Sequence, residues 1–391
     1  MKPSIAYVAS STYVFQNFFM ETLREIKARG FDVLLFSPAD GPLGQFEHEG
    51  FEHIRIPMSR STNPVSAAVT WLLLHSAFIE RRPVIVHSHT TTVHLLSAMA
   101  ARSAGVPISV ATVHGHYDTG MDQLVGRARA GLLAPMTERY AKAVARRVDA
   151  YIVINQTEAD RFESVVPPEK LHLVEGGVGV DLSLFGGSSG KREARRRLRL
   201  PESQRQVGFV GRLIDHKARD LFEIIDRIQR EAPGTGALLA LLPGGDPDLE
   251  ERLGRRIAQG RDIVVLRNRA PREMAMVYRC MDALLLPSYR EGASTVLMEA
   301  AAMRIPTVAY DVAGTRDIVD DGRTGLLVSV GDRAAFARAA GALLESSTRR
   351  RNMGIAARAR AVSAFDREKT LEHTLSLYDR LIDTIVRVKD T

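Results

Sequence analysis

Ala283-Leu-Leu-Leu-Pro-Ser-Tyr-Arg-Glu-Gly-Ala-Ser-Thr-Val-Leu-Met-Glu-Ala-Ala-Ala-Met303 reads as a short buried strand, a turn and a helix. Working outward, the same kind of charge-free run, rich in Val, Ile and Leu, recurs at residues 207–210, 237–242, 263–266, 307–309 and 325–328. Ahead of them lie similar runs at 5–8, 32–36, 84–87, 108–113 and 151–154, separated by helix-periodic stretches at 15–29, 66–78, 94–103 and 124–147. Strands without polar alternation, each followed by a helix, build parallel sheets covered on both faces, so the fold class is α/β. A polar break, Gly186-Gly-Ser-Ser-Gly-Lys191, divides the pattern into two Rossmann-like domains, expected at 1–185 and 205–366. The last segment, 367–391, places Leu371, Leu375, Tyr378, Leu381 and Ile385 at helical spacing and is expected to pack back on the first domain. Ligands of open parallel sheets bind beyond the carboxyl ends of the strands, which puts the expected site in a cleft between two facing domains.

Bulk properties agree with this division. A chain of 391 residues is long for one core, and 45% hydrophobic with 25% charged residues is the balance of a water-soluble globular protein. No apolar run reaches the ~18 residues that span a bilayer, and residues 1–9 lack the pattern of a signal peptide, so a cytoplasmic location is expected. The single cysteine, Cys280, excludes an internal disulfide and a cysteine-rich zinc site, and its apolar neighbours place it in the core. The net charge of +7 comes from the second half, where residues 191–200 form a basic run. Such a half suits a polyanionic ligand such as a diphosphate, although a solvated helix face is the simpler reading of the run itself.

Residues just past predicted strands carry the chemistry. Gly211, Arg212 and Lys217 follow the strand at 207–210 and precede a helix, where outward-pointing amides and two cations favour a diphosphate. In the quoted stretch, Glu291 lies in the turn and Glu299 inside the helix, with the small residues Gly292, Ala293, Ser294 and Thr295 and their amides between. Carboxylates accept bonds from sugar hydroxyls and amides hold phosphates. Glu299 runs into Ala300, Ala301 and Ala302, an apolar setting in which a carboxylate needs a bonding partner.

These features together resemble retaining glycosyltransferase family 4, of the GT-B architecture. The resemblance rests on the Glu291-x7-Glu299 spacing, on Arg212 with Lys217, and on Tyr310-Asp-Val-Ala-Gly-Thr-Arg-Asp-Ile-Val-Asp-Asp-Gly-Arg-Thr-Gly-Leu-Leu-Val328. Val86-His-Ser-His89, Thr112-Val-His-Gly-His116 and Gly176-Gly-Val-Gly-Val-Asp-Leu-Ser-Leu-Phe185 extend it into the first half. It implies that Arg212 and Lys217 hold a nucleotide diphosphate, with the amides of Ser294, Thr295 and Val296 completing the cradle. It also implies that Glu299 binds the ribose, that Glu291 contacts the donor sugar, and that His114 lies near the transferred group with His116 as its neighbour. Three positions depart from the family pattern: Ala218, Ser10-Ser11-Thr12 and Met303-Arg304 stand where glycines are usual.

The resemblance further implies retention of configuration by same-face substitution, a uridine diphosphate sugar as donor with guanosine diphosphate as the next choice, a transferred hexose or N-acetylhexosamine, and neither cofactor nor metal. Asp246-Pro-Asp248 looks like the Asp-x-Asp of metal-dependent transferases but sits in a glycine-bounded turn, and His87 with His89 lacks an obvious third ligand. The expected acceptor is a lipid-linked saccharide in surface polysaccharide synthesis. That expectation rests on residues 124–148, where Arg127, Arg129, Arg139, Lys142, Arg146 and Arg147 interleave with apolar side chains as in a peripheral membrane helix; a core-facing helix with a basic outer face is the alternative. A small soluble acceptor and a non-catalytic nucleotide-sugar-binding module are the other readings. No nucleic acid partner is expected, and the first strand lacks the Gly-x-Gly-x-x-Gly of a hydride-transfer enzyme.

Overall fold

A computed structural model describes residues 2–41, 43–58, 63–114, 134–187 and 190–389. The chain divides into two compact units, Met1–Val178 with Thr370–Thr391, and Gly179–Lys369.

In the first unit the described strands are β1 (Ser4–Val8), β2 (Asp32–Ser37), β3 (Glu52–Arg55), β4 (Ile85–Ser88), β5 (Ile108–Val113), β6 (Ala150–Val153) and β7 (Leu171–Leu173). They pair in parallel in the order β3-β2-β1-β4-β5-β6-β7. Successive side chains point to opposite faces, so Ile5 and Tyr7 enter one core with Leu35 and Ile85, while Ala6 and Val8 enter another with Leu34 and Val86. Burial on both faces is what the uninterrupted apolar runs encode. The runs did not reveal β3 and β7, which lie at the two rims of the sheet; there one face is open, and Glu52, His53 and Arg55 replace the apolar pattern.

The second unit holds β8 (Arg205–Arg212), β9 (Thr235–Leu242), β10 (Ile263–Arg267), β11 (Ala283–Leu286), β12 (Thr307–Tyr310) and β13 (Gly325–Val328), parallel in the order β10-β9-β8-β11-β12-β13. Val207, Phe209 and Leu285 face one core; Val210, Leu284 and Leu286 face the other, with buried Cys280. This unit begins earlier than the expected boundary of 205. Val180 and Phe185 pack in its core, the Val180 amide donates to the Phe365 carbonyl at 2.7 Å, and the helix Lys191–Arg197 anchors through Ala194 and through Arg195, which donates to the Cys280 carbonyl and to Asp282.

The last helix, Arg367–Lys389, puts Leu375, Leu377 and Tyr378 into the first unit's core. The Tyr378 hydroxyl meets the Tyr7 hydroxyl at 2.9 Å and Nδ1 of His87. Replacing Tyr378 with Phe removes a buried partner from the Tyr7 hydroxyl and that ring nitrogen, and is expected to cost about 1–3 kcal/mol. Denaturant unfolding of Tyr378→Phe checks this; a midpoint equal to the parent's would refute it.

Candidate active site

In the second sheet β8 and β11 are neighbours, yet the chain leaves β8 toward β9 and leaves β11 toward β12. A crevice opens at the carboxyl ends of such a pair. The two connections that leave it carry the expected residues. Gly211, at φ +151, uses a backbone conformation that L side chains rarely adopt, and the next residue, Arg212, is exposed at the strand's end. The chain then makes the short helix Asp215–Ala218. The Tyr289 amide donates to the His216 carbonyl at 2.8 Å, stitching the loop after β11 to the loop after β8.

Across this seam Lys217 Nζ lies 2.8 Å from Glu291 Oε1. Glu291 is buried, with only 8% of its surface exposed, so the ammonium answers a charge that water barely reaches. His216, half-buried beside them, has its pKa lowered first by burial and then by the charges of Lys217, Arg290 and Arg212. The structure therefore gathers Arg212, Lys217 and Glu291 with two further residues, His216 and Arg290. Within this set Lys217 pairs with the carboxylate while Arg212 and Arg290 act with it on His216, an excess of positive charge suited to a diphosphate.

The helix Thr295–Ala302 starts at the end of the same loop. Ser294 is buried and its carbonyl accepts from the amides of Leu297 and Met298, so the amides of Thr295 and Val296 precede the intrahelical ladder. A turn further on, Glu299 has the partner its apolar setting demanded: the Tyr278 hydroxyl donates to Glu299 Oε2 at 2.7 Å. Burial pushes the Glu299 pKa up to about 7, against the lowering effects of that bond and of Arg367. Its edge remains partly open to solvent.

Two residues that hold the site in shape escaped the sequence reading. Buried Asp220 accepts from the Tyr289 hydroxyl at 2.8 Å and the Tyr310 hydroxyl at 2.7 Å, fixing the residue that leads into Arg290 and Glu291. Gly314 has no room for a side chain: a Cβ there would fall 1.6 Å from the Gly292 carbonyl oxygen and 2.4 Å from that of Glu291. Asp220 looked like any residue at a helix start, and the signal for Gly314 was its place in the 310–328 motif. Asp246 is a cap: its carboxylate accepts from the Asp215 amide and its own amide donates to the Leu213 carbonyl.

His114 belongs to the first unit, just past β5. Its Nε2 lies 3.2 Å from Nδ1 of His89, which stacks on Tyr7 and packs against Phe19. Desolvation by the surrounding protein holds the His114 pKa below the ordinary imidazole value. His87 is committed on both sides, to Tyr378 and to Thr112 Oγ1. His116 and residues 124–133 lie outside the described residues. From residue 138 onward the basic stretch turns Ala141, Val144 and Ala145 into the core and Arg139, Lys142 and Arg146 outward.

A model described as "Glycosyltransferase Family 4" matches residues 16–182, and one described as "Glycosyl transferases group 1" matches residues 204–346. Glycosyltransferase family models thus match both halves of the chain, which is similar to the family 4 glycosyltransferases. It is 30% identical over 306 residues to a D-inositol 3-phosphate glycosyltransferase of Nocardia farcinica, covering 76% of this chain and 61% of that protein. It is 32% identical over 307 residues to the protein of that name in Mycobacterium tuberculosis, covering 76% of this chain and 62% of that one. The chain thus spans about three fifths of the length of these curated relatives. In fold it is similar to a sucrose-phosphate synthase from Thermosynechococcus elongatus, with a TM-score of 0.77 at 19% identity over 98% of this chain and 100% of that one. It is likewise similar to the Anabaena protein HepE in complex with UDP and glucose, with a TM-score of 0.77 at 18% identity over 97% and 100% of the two chains. The fold is GT-B.

This geometry makes stability and binding measurable at two residues. Between the ordinary carboxylate range and about 7, folded Glu299 holds a proton that the unfolded chain has lost, so this group makes stability fall as pH rises through that window. Glu299→Gln is expected to flatten that slope in a series of thermal melts from pH 5 to pH 8; an unchanged slope would count against the shift. Gly314→Ala must displace the Glu291 loop and is expected to weaken nucleoside diphosphate binding about tenfold, read by calorimetry beside an unchanged far-ultraviolet spectrum.

Proposed function

We propose that this chain transfers a hexosyl or N-acetylhexosaminyl group from a uridine diphosphate sugar to a hydroxyl acceptor, with retention of configuration. The observation that carries the proposal is the gathering of Arg212, Lys217 and Arg290 about His216, with Lys217 paired to buried Glu291 at the loop that leads into the helix Thr295–Ala302. In this reading the diphosphate lies against Arg212, Lys217 and the amides of Thr295 and Val296, and Glu299 accepts bonds from the ribose hydroxyls. As the anomeric carbon parts from the phosphate oxygen, charge grows on the leaving diphosphate where the two cations stand. The acceptor hydroxyl attacks the same face and passes its proton to that diphosphate. Glu291 orients the sugar and stabilises its oxocarbenium-like charge, and His114 contacts the transferred group. No step calls for a metal or a resident cofactor.

Two acceptor classes have specific support. Exposed Val65, Val69, Leu72, Leu73 and Ile79 share one face of the helix Pro64–Arg81, an apolar stripe ending at Arg81 that favours a membrane surface and hence a lipid-linked saccharide. The relatives named for D-inositol 3-phosphate favour a small soluble phosphorylated polyol.

Thermal stabilisation across nucleoside diphosphates and their sugars tests the donor site. A shift with uridine diphosphate, lost in Arg212→Ala and Glu299→Ala, is the expected result, and no shift with any nucleotide would sink the reading. Arg212→Ala and Lys217→Ala are each expected to slow transfer by about a hundred- to a thousandfold, or ~2.7–4 kcal/mol. Turnover with a polyprenyl-linked saccharide in vesicles, set beside turnover with soluble inositol phosphate, separates the acceptor classes.

A further inference from the structure

The opposite ends of the same strands hold a second concentration of positive charge. Met281 and Asp282 run into β11, and Ile305 and Pro306 into β12, so this region lies roughly 13 Å along a four-residue strand from the Glu291 loop. Here a hollow of about 380 Å³ is lined by Lys191, Arg279, Asp282, Arg304, Arg350 and Arg351, among others. Asp282 is already answered by Lys191 and Arg195, each at 2.7 Å. Arg279 donates to the Gly187 carbonyl, and its buried Nε has no partner among the described residues. Arg350 donates to the Leu343 and Leu344 carbonyls, which leaves its charge unneutralised. Among the described residues neither Arg304 nor Arg351 is paired with a carboxylate. Four guanidinium charges therefore face one hollow with no free acid to balance them.

The backbone holds this arrangement against a local preference. The helix Thr295–Ala302 ends in paired bonds from Arg304 to Ala301 and from Ile305 to Ala300, a Schellman closure that puts Arg304 at φ +61. Glycine is the usual occupant of that position, because an L side chain is strained there. The helix Ser347–Ala364 then crosses so closely that a Cβ on Gly354 would fall 2.1 Å from the Arg304 carbonyl oxygen. That approach sets Arg350 and Arg351, one turn earlier, at the rim of the hollow. Like charges confined in a concave surface raise the local potential, and guanidinium groups match phosphate oxygens through paired N–H bonds.

We propose that this hollow is a second anion site, distinct from the Glu291 crevice, that takes a multiply charged phosphate group. Arg304 and Arg351 supply the free charge, while Arg279 and Arg350 are held in place by backbone carbonyls. The site does not depend on the donor reading, since it shares no residue with it.

Titration of the full chain with inorganic tripolyphosphate tests the site, in an Arg212→Ala background that weakens the front crevice while keeping the buried Lys217–Glu291 pair. Saturable binding is expected, weakened at least tenfold by Arg304→Gly combined with Arg351→Gln. Arg304→Gly relieves the φ strain, so its melting temperature should hold or rise, and a loss of binding then reports the charge rather than the fold. No saturable binding in the background protein, or equal binding with and without the two arginines, overturns the proposal. Sedimentation with vesicles containing phosphatidic acid, whose phosphomonoester headgroup is multiply charged, identifies the source. Sedimentation that tripolyphosphate reverses and the two substitutions abolish assigns the phosphate to a lipid headgroup; tripolyphosphate binding without sedimentation assigns it to a soluble molecule.

Discussion

A carboxylate that water barely reaches, Glu291, is held by one ammonium, Lys217, at 2.8 Å. Glu291 would be costly alone, because a lone buried charge costs several kcal/mol. The pair thus locks the loop after β11 to the loop after β8, and the Tyr289 amide bond to His216 repeats the lock in the backbone. Asp220, clamping the Tyr289 and Tyr310 hydroxyls, and Gly314, giving the loop space to lie flat, serve the same geometry from behind. A preorganised crevice of this kind needs little rearrangement when charge develops in it, which is the condition for electrostatic stabilisation of a leaving group.

The first unit applies a different solution to buried polarity. Tyr7, His87, Thr112 and Tyr378 bond one another inside the core, and burial keeps the His87 pKa well below the ordinary imidazole range. A neutral ring can donate from one nitrogen and accept at the other, so the chain of bonds closes without a net charge. That network ties the final helix to β1 and β4. His89, beside it, stacks on Tyr7 and reaches His114, so the packing that secures the helix also orients the histidine at the end of β5.

The two ends of the second sheet show how one scaffold separates charge environments. At the carboxyl ends, cations are interleaved with a carboxylate and with helix amides. At the amino ends, arginines crowd together with their nearest acid already satisfied. The strand-helix alternation enforces that separation, since each connection must return across the sheet before the next strand begins.

The α/β class, the twofold division and the identity of the inner strands are legible in the amino-acid order, because a strand covered on both faces must be a short run without polar residues. Arg212, Lys217, Glu291 and Glu299 are legible there as candidates, since a charged residue just past a buried parallel strand stands where such sheets meet their ligands. Rim strands β3 and β7 stay hidden, as one-sided burial relaxes the pattern. Residues 179–185 join the second unit although they precede the polar break, because apolar side chains do not say which core they enter. Tertiary packing alone brings Asp220 to Tyr289 and Tyr310, 69 and 90 residues away, and Gly314 to the Glu291 loop. It also sets Arg304 and Arg351 around one hollow. Contacts between residues distant in the chain come from the packing of whole elements, and no local pattern records them.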